Sequence, residues 1–358
     1  MTASASEPPA TGAAPTGPDG IAERLADLAD HLGVRRDRRL VDELLANAAG
    51  LALDAPDTLD LKIATAALRE MRDAFRMFAP YREARKVSIF GSARATADDP
   101  LYAQARAAAA EFASRGWMVV TGAGPGIMQA GMEGAGRERS IGVSIRLPFE
   151  QRANPVIAGD AKYVSMKYFF TRKLMLIKES KGFVCLPGGF GTLDETFELL
   201  TLTQTGKGVP VPIVLLDTPG DPYWEGVDGF VRDQLVSRGL VAESDTELYL
   251  VTDRVEAAVA EVCGFYANYD SMRYVGDQLV LRLRVAPTDE QLERLNDEFV
   301  ALCASGRIVR TPPLPVEARE DDAVHLARLR FHFAKHGFGE LRRLIDTLNS
   351  FTAGSAGC

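Results

Sequence analysis

The sequence predicts an α/β protein: a doubly wound parallel sheet, with a helical segment before it and a small α+β unit after it. Three observations predict this. Between about residues 85 and 265, five apolar runs alternate with helical patterns. Such alternation implies parallel strands joined by right-handed crossovers. The apolar strands fit a sheet covered on both faces. Several of them end in glycine-rich turns. The architecture is therefore expected to be Rossmann-like.

Residues 1–20, "MTASASEPPATGAAPTGPDG", are rich in Ala, Pro, Gly, Ser and Thr. They are expected to form a disordered tail. They show neither the basic start nor the apolar core of a secretory leader. Residues 21–84 form a helical segment. There Leu61, Ala64, Leu68, Met71, Phe75 and Phe78 recur at spacings of three and four, one stripe along a long helix. Asp57 or Thr58 stands where that helix would be capped. The stripe suits either a dimerisation surface or packing on its own chain.

The region 85–265 is expected to hold the site. "KVSIFGSAR" is a buried strand ending in Gly91 and Ser92, and "YAQARAAAAEFASRG" the helix after it. "WMVVTGAGPG" is a second strand, followed by the helix "IMQAGMEGAGRE". "SIGVSIRLP" is a third strand and "MKYFFTRKLMLIKES" a helix. "KGFVCLPGGFGT" is a fourth strand and turn, leading into "LDETFELLTLTQTGK"; "VPIVLLD" is a fifth strand. Residues 266–358 form an accessory unit: strand "DQLVLRLRVA", helix "TDEQLERLNDEFVALCASG" with a Thr cap and a Gly stop, strand "RLRFHF" and helix "FGELRRLIDTLN". It shows no catalytic constellation, which suits a role in assembly or regulation.

Bulk numbers exclude several classes. A chain of 358 residues suggests two or three domains. Its 49 acidic residues against 41 basic ones give a net charge of −8, which disfavours polymeric nucleic acid as a partner. Cys185, Cys263, Cys303 and Cys358 are scattered and indicate neither a disulfide framework nor a zinc site. His332 and His336 are four apart, but they fall in and after a strand-like run, which does not suit a metal site. No apolar run approaches the length of a membrane span. A cytoplasmic protein without metal is expected.

Three strand ends carry small residues: Gly91-Ser92, then Gly122, Gly124 and Gly126, then Gly188, Gly189 and Gly191. Ligands of open α/β sheets bind beyond the carboxyl ends of the strands. Glycine lets backbone N–H groups approach an anion there, at the positive end of the next helix. A dinucleotide fingerprint is absent, because its third glycine would fall at Ile127. No turn ends in the Gly-Lys-Ser/Thr of a P-loop. In "PGGFGTLDETFE", Thr192 can cap the helix and offer its hydroxyl to an anion, and Glu195 and Glu198 share one helix face. A carboxylate beside a phosphate cradle would repel the ligand unless it served the sugar or the bond being broken. Arg172 and Lys173 lie in the preceding helical run, which opens at Met166. On the residues alone they either neutralise a phosphate or position a carboxylate, or they form a solvated face.

These motifs resemble those of the Lonely Guy (LOG) family, long mislabelled as lysine decarboxylases. "PGGFGTLDE" fits the family's P-G-G-x-G-T-x-x-E signature, and "FGSA", "TGAGPGIM" and Arg172-Lys173 fall at the matching places over about residues 87–262. Better-known members are cytokinin riboside 5'-monophosphate phosphoribohydrolases, which activate cytokinins. The resemblance implies hydrolysis of the N-glycosidic bond of nucleoside 5'-monophosphates, to free base and ribose 5-phosphate, without cofactor. It places catalysis on Arg172 and Glu195. It places phosphate contacts on Gly189, Gly191 and Thr192, with help from Ser92 and the turn of Gly122, Gly124 and Gly126; Gly91, Met166, Lys173, Gly188 and Glu198 are further candidate phosphate or substrate contacts. It implies a homodimer or a hexamer of dimers. Gly122-Ala123-Gly124 stands where short members carry three glycines, and both ends are extended, as in a long bacterial branch. The alternative from another class is a carrier of a phosphorylated ligand, such as molybdenum cofactor, in the same groove.

Overall fold

The computed structural model describes residues 18–54, 56–147 and 153–352. The chain divides into two compact units, between Leu68 and Arg69. In the first, α1 (Pro18–His31) is followed by α2 (Arg38–Leu53). Arg38 ties the two together, donating to the Ala26 carbonyl at 2.8 Å and pairing with Asp30 and Asp42. Helix α1 begins at Pro18, inside the segment expected to be a tail; residues 1–17 lie outside the described residues.

The long helix α3 (Thr58–Phe78) is where the stripe falls. Asp57 Oδ1 accepts the Asp60 N–H at 2.8 Å, the expected cap. The buried face is the expected stripe only in part: Phe78 is buried and Met71 packs on the core, but other members of the stripe are exposed. Ala67, Glu70, Ala74 and Phe78 are buried, whereas Leu61, Leu68 and Phe75 are 40–45% exposed. Small residues at 67 and 74 allow close packing there, which a count of large apolar side chains overlooks.

The second unit holds a seven-stranded, wholly parallel sheet: β1 (Lys86–Phe90), β2 (Met118–Thr121), β3 (Ser140–Ile145), β4 (Tyr163–Met166), β5 (Gly182–Cys185), β6 (Ile213–Leu216) and β7 (Leu250–Thr252). Their spatial order is β4-β3-β2-β1-β5-β6-β7. The chain runs outward from β1 to β4, returns to β5 beside β1, and runs outward again. The order thus reverses between β1 and β5, the point where open α/β sheets bind ligands. The fold is Rossmann-like, as expected. The edge strands β4 and β7 lie outside the five runs read from the sequence, and both are only partly buried.

Helices α4 (Pro100–Ser114), α5 (Ile127–Ala135), α6 (Phe169–Glu179), α7 (Phe190–Gln204), α8 (Tyr223–Phe230) and α9 (Val255–Gly264) cover the two faces. Val87 and Ile89 of β1 share one core with residues of α4 and α9, while Phe90 joins Phe183, Met175 and Leu199 in the other. Cys185 and Cys303 are free; Cys263 is disulfide-bonded, which the scattered cysteines did not suggest.

The same unit ends in a second, antiparallel sheet. Its elements are β8 (Tyr269–Val275), β9 (Gln278–Leu283), α10 (Asp289–Glu298), β10 (Cys303–Arg310), α11 (Pro315–Glu320), β11 (Ala327–Phe333) and α12 (Phe338–Ser350), with strand order β10-β11-β9-β8. Thr288 and Gln291 form the capping box of α10. The helix does not run on to Gly306 as expected. It ends at Glu298, and "CASG" opens β10, paired with β11. Tertiary pairing overrides a local helical pattern here.

Candidate functional site

The site is assembled where the glycine turns after β1, β2 and β5 meet. Ser92 N–H donates to the Pro187 carbonyl at 3.1 Å, and Ile127 N–H donates to the Ser92 carbonyl at 3.0 Å. Two glycines are imposed by this mutual contact. Gly126 has φ 67°, and a Cβ there would lie 2.3 Å from the Ser92 carbonyl oxygen. A Cβ on Gly188 would lie 2.2 Å from Thr192 Oγ1 and 2.9 Å from the Ser92 nitrogen. Gly189 and Gly191 differ: a Cβ at either would meet nothing within 4 Å. They leave open space at the start of α7.

Helix α7 has Gly189 as N-cap and no side-chain cap. The first N–H groups of a helix have no partner within it, and they carry its positive end. Open space in front of such N–H groups can receive an anion. Thr192 is not the cap that the sequence led us to expect. It lies in the first turn, buried, with its N–H on the Gly189 carbonyl at 3.0 Å and its hydroxyl against Gly188.

Arg172, on α6, reaches across this edge of the sheet. Its Nε donates to the Val143 carbonyl at 3.1 Å, and its Nη1 lies 3.5 Å from Glu195 Oε1. The guanidinium passes over Gly122, where a Cβ would lie 2.5 Å from Nη2. Glu195 is 5% exposed, and its Oε2 has no hydrogen-bond partner among the described residues. Burial raises the Glu195 pKa above the ordinary carboxylate value, while Arg172 and Lys173 pull against that rise. Burial likewise lowers the Arg172 pKa, opposed by Glu195. Lys173 Nζ binds Asp194 at 2.8 Å and Glu198 at 2.6 Å. Burial works against its charge, yet the two carboxylates hold its pKa above the usual value.

The structure therefore brings Arg172, Lys173, Glu195 and Glu198 together, one helix facing another, beside the turns at Gly91-Ser92, Gly122–Gly126 and Gly188–Gly191. Met166 is not brought with them: its side chain is wholly buried in the core. Three residues escaped sequence reading. Tyr223 donates its hydroxyl to the Gly188 carbonyl at 2.7 Å. Asp217, at the end of β6, caps α8 by accepting the Trp224 N–H at 2.9 Å. Glu70 binds the start of α6. None sits in a motif; each comes from a segment remote in sequence.

A buried carboxylate–guanidinium pair thus stands beside the open start of α7, where the strand order of the sheet reverses. Comparison with known proteins agrees with the motifs. Residues 126–262 match the family model described as possible lysine decarboxylase. The chain is 28% identical over 176 residues to the cytokinin riboside 5'-monophosphate phosphoribohydrolase LOG of Oryza sativa subsp. japonica, covering 47% of this chain and 69% of that protein. It is 28% identical over 181 residues to the cytokinin riboside 5'-monophosphate phosphoribohydrolase of Mycobacterium tuberculosis, covering 48% of this chain and 90% of that one. The resemblance to the LOG family is thus found again, at modest identity and over about half the chain. Among solved structures, the molybdenum cofactor carrier protein of Chlamydomonas reinhardtii aligns with a TM-score of 0.35 and 21% identity, over 50% of this chain and 95% of its own. No helix among the described residues is long and apolar enough to cross a membrane.

Proposed function

We propose that the protein hydrolyses the N-glycosidic bond of nucleoside 5'-monophosphates, releasing the free base and ribose 5-phosphate. One observation carries this: Glu195, buried and with one oxygen unpartnered, stands beside Arg172 at the edge of an anion cradle. A carboxylate in that place serves a reaction rather than a phosphate. The resemblance to proteins named phosphoribohydrolases supports the same conclusion.

The monophosphate group lies against the N–H groups at the start of α7, between Gly189 and Gly191, with the turns at Ser92 and Gly122–Gly126 as the other walls. This grip is remote from the bond that breaks and holds the ribose over Glu195. Cleavage builds positive charge on the sugar, in an oxocarbenium-like state. The Glu195 carboxylate faces that charge and takes the proton of the attacking water. The water oxygen bonds to C1', the C1'–N bond breaks, and the base leaves with its electron pair and takes up the proton that Glu195 removed from the water, which returns the carboxylate. Arg172 keeps the Glu195 carboxylate ionised and oriented. Lys173 holds Glu198 and Asp194, which stiffens the first turns of α7. No step requires a metal or organic cofactor.

The catalytic region spans residues 85–265, with 266–358 accessory to it. The enzyme works as a homo-oligomer in the cytoplasm. The 92% exposed Phe190, with Phe169 and Phe170 on the neighbouring helix, supports a second copy covering this rim.

The test is base release by purified protein from AMP, GMP, IMP, CMP, UMP and isopentenyl-adenosine monophosphate, each beside its nucleoside, with Glu195→Gln as control. Release from monophosphates alone, lost in the variant, is the expected outcome. Binding without release from any of them would leave a carrier or sensor instead.

A further inference from the structure

Helix α6 begins without a cap of its own: its N-cap residue, Tyr168, makes no side-chain bond to the first turn. Acceptors for that end come from α3, about a hundred residues earlier. Glu70 Oε1 accepts the Lys167 N–H at 2.6 Å. Its Oε2 accepts the Thr171 hydroxyl at 2.7 Å and the Tyr168 N–H at 3.4 Å. Arg146 Nη2 adds a contact to Oε1 at 3.1 Å. The Glu70 side chain is buried to 5% exposure, on the inner face of α3 with Ala74 and Phe78. A carboxylate at a helix N-terminus meets the positive end of the dipole, and its bonds are charge-assisted.

Arg172 follows within the same turn, its N–H on the Tyr168 carbonyl at 3.3 Å. Its guanidinium is then placed by the rigid first turn behind it. The contact with Glu195 is already long at 3.5 Å. A small slide or rotation of α6 would break it, since Coulomb attraction falls with distance and water would enter the gap.

We propose that Glu70 is a positioning residue for the Arg172–Glu195 pair, clamping the start of α6 from α3 so that the guanidinium stands at the carboxylate. This deepens the proposed function and rests on its assignment of those two residues. It also explains which helix end is free for a phosphate. The start of α6 is filled by a carboxylate of the chain itself, whereas the start of α7 is open.

The clamp is read without turnover, from the titration of Glu195 followed by 13C NMR of its side-chain carboxyl, assigned with Glu195→Gln. The charged groups facing Glu195 are Arg172, Lys173, Asp194 and Glu198. Of these, Arg172 does most to hold its pKa down against burial. Glu70→Gln turns one acceptor into a donor that faces N–H and O–H groups. The expected result is an upward shift of the Glu195 midpoint by about half a pH unit or more. The Arg172→Gln variant is expected to show the larger shift, and adding Glu70→Gln to it no further one. Thr171→Val removes a single bond of the clamp and is expected to give a smaller shift in the same direction, which serves if Glu70→Gln does not fold. An unmoved Glu195 midpoint in a folded clamp variant would overturn the proposal. So would an equal added shift in the Arg172→Gln background. Failure of the wild type to release base from any monophosphate would overturn the proposed function instead, and leaves this titration as informative as before.

Discussion

Asp217 closes β6 on the edge of the sheet that carries the site, and it holds α8, whose first residue, Tyr223, grips the Gly188 carbonyl. The carboxylate is 2% exposed and its Oδ1 has no hydrogen-bond partner among the described residues. Burial raises its pKa from 3.8 to about 6, aided by Asp221, Glu225 and Asp253 and opposed by the Trp224 N–H. A carboxyl whose folded pKa is raised stabilises the fold fully below the unfolded value. That contribution is lost as pH rises through the folded value. For this group the loss runs from about pH 4 to about pH 6. A rise of about two units corresponds to about 3 kcal/mol at most, so an effect of roughly 1–3 kcal/mol is expected. Asp217→Asn keeps an oxygen for the Trp224 N–H and removes the ionisation. Denaturant unfolding of both proteins at half-unit steps from pH 4 to 7.5 isolates this one proton. The stability of the variant relative to the wild type should rise by that amount across the window and stay level above it. Parallel curves throughout would refute the reasoning, because they would mean that Asp217 ionises in the fold as easily as in water.

Other changes probe the remaining parts. Tyr223→Phe removes the 2.7 Å bond to the Gly188 carbonyl, worth about 1 kcal/mol, so KM for a monophosphate should rise about fivefold with little change in kcat. Gly126→Ala forces a Cβ against the Ser92 carbonyl at positive φ. It should cost roughly 3 kcal/mol or more and abolish ligand binding, as read by thermal unfolding and calorimetry. Glu317→Ala leaves the buried Arg282 and Arg328 of the second sheet without their shared carboxylate, a loss of about 3–5 kcal/mol in denaturant unfolding.

Much of the site was legible because it is local. Three glycines, a threonine and a glutamate lie within the eight residues 188–195, and helical spacing alone puts Glu195 and Glu198 on one face. Arg172 and Lys173 were visible as a basic pair, but their partners were not. Which of them meets Glu195 depends on how α6 lies against α7, and hence on Glu70 at the start of α6. Thr192 illustrates the opposite case. Its residue type suits a cap, yet the backbone turns into the helix three residues earlier, at Gly189.

The sequence by itself determined the central strands β1, β2, β3, β5 and β6, since each lies in a largely apolar run that alternates with a helical pattern. It also determined the positions of the glycine turns and of the acidic pair. Tertiary structure alone decided the rest. The edge strands β4 and β7 exist because a neighbour offers a free row of hydrogen-bonding groups, not because their residues demand it. Strand β10 took residues with a helical pattern because β11 lay beside them. The reversal of strand order between β1 and β5 brought three distant turns into mutual contact and made one crevice of them. Periodicity within a segment reports only which faces can be buried; what buries them, and which charges then meet, depends on chain folding over a hundred residues or more.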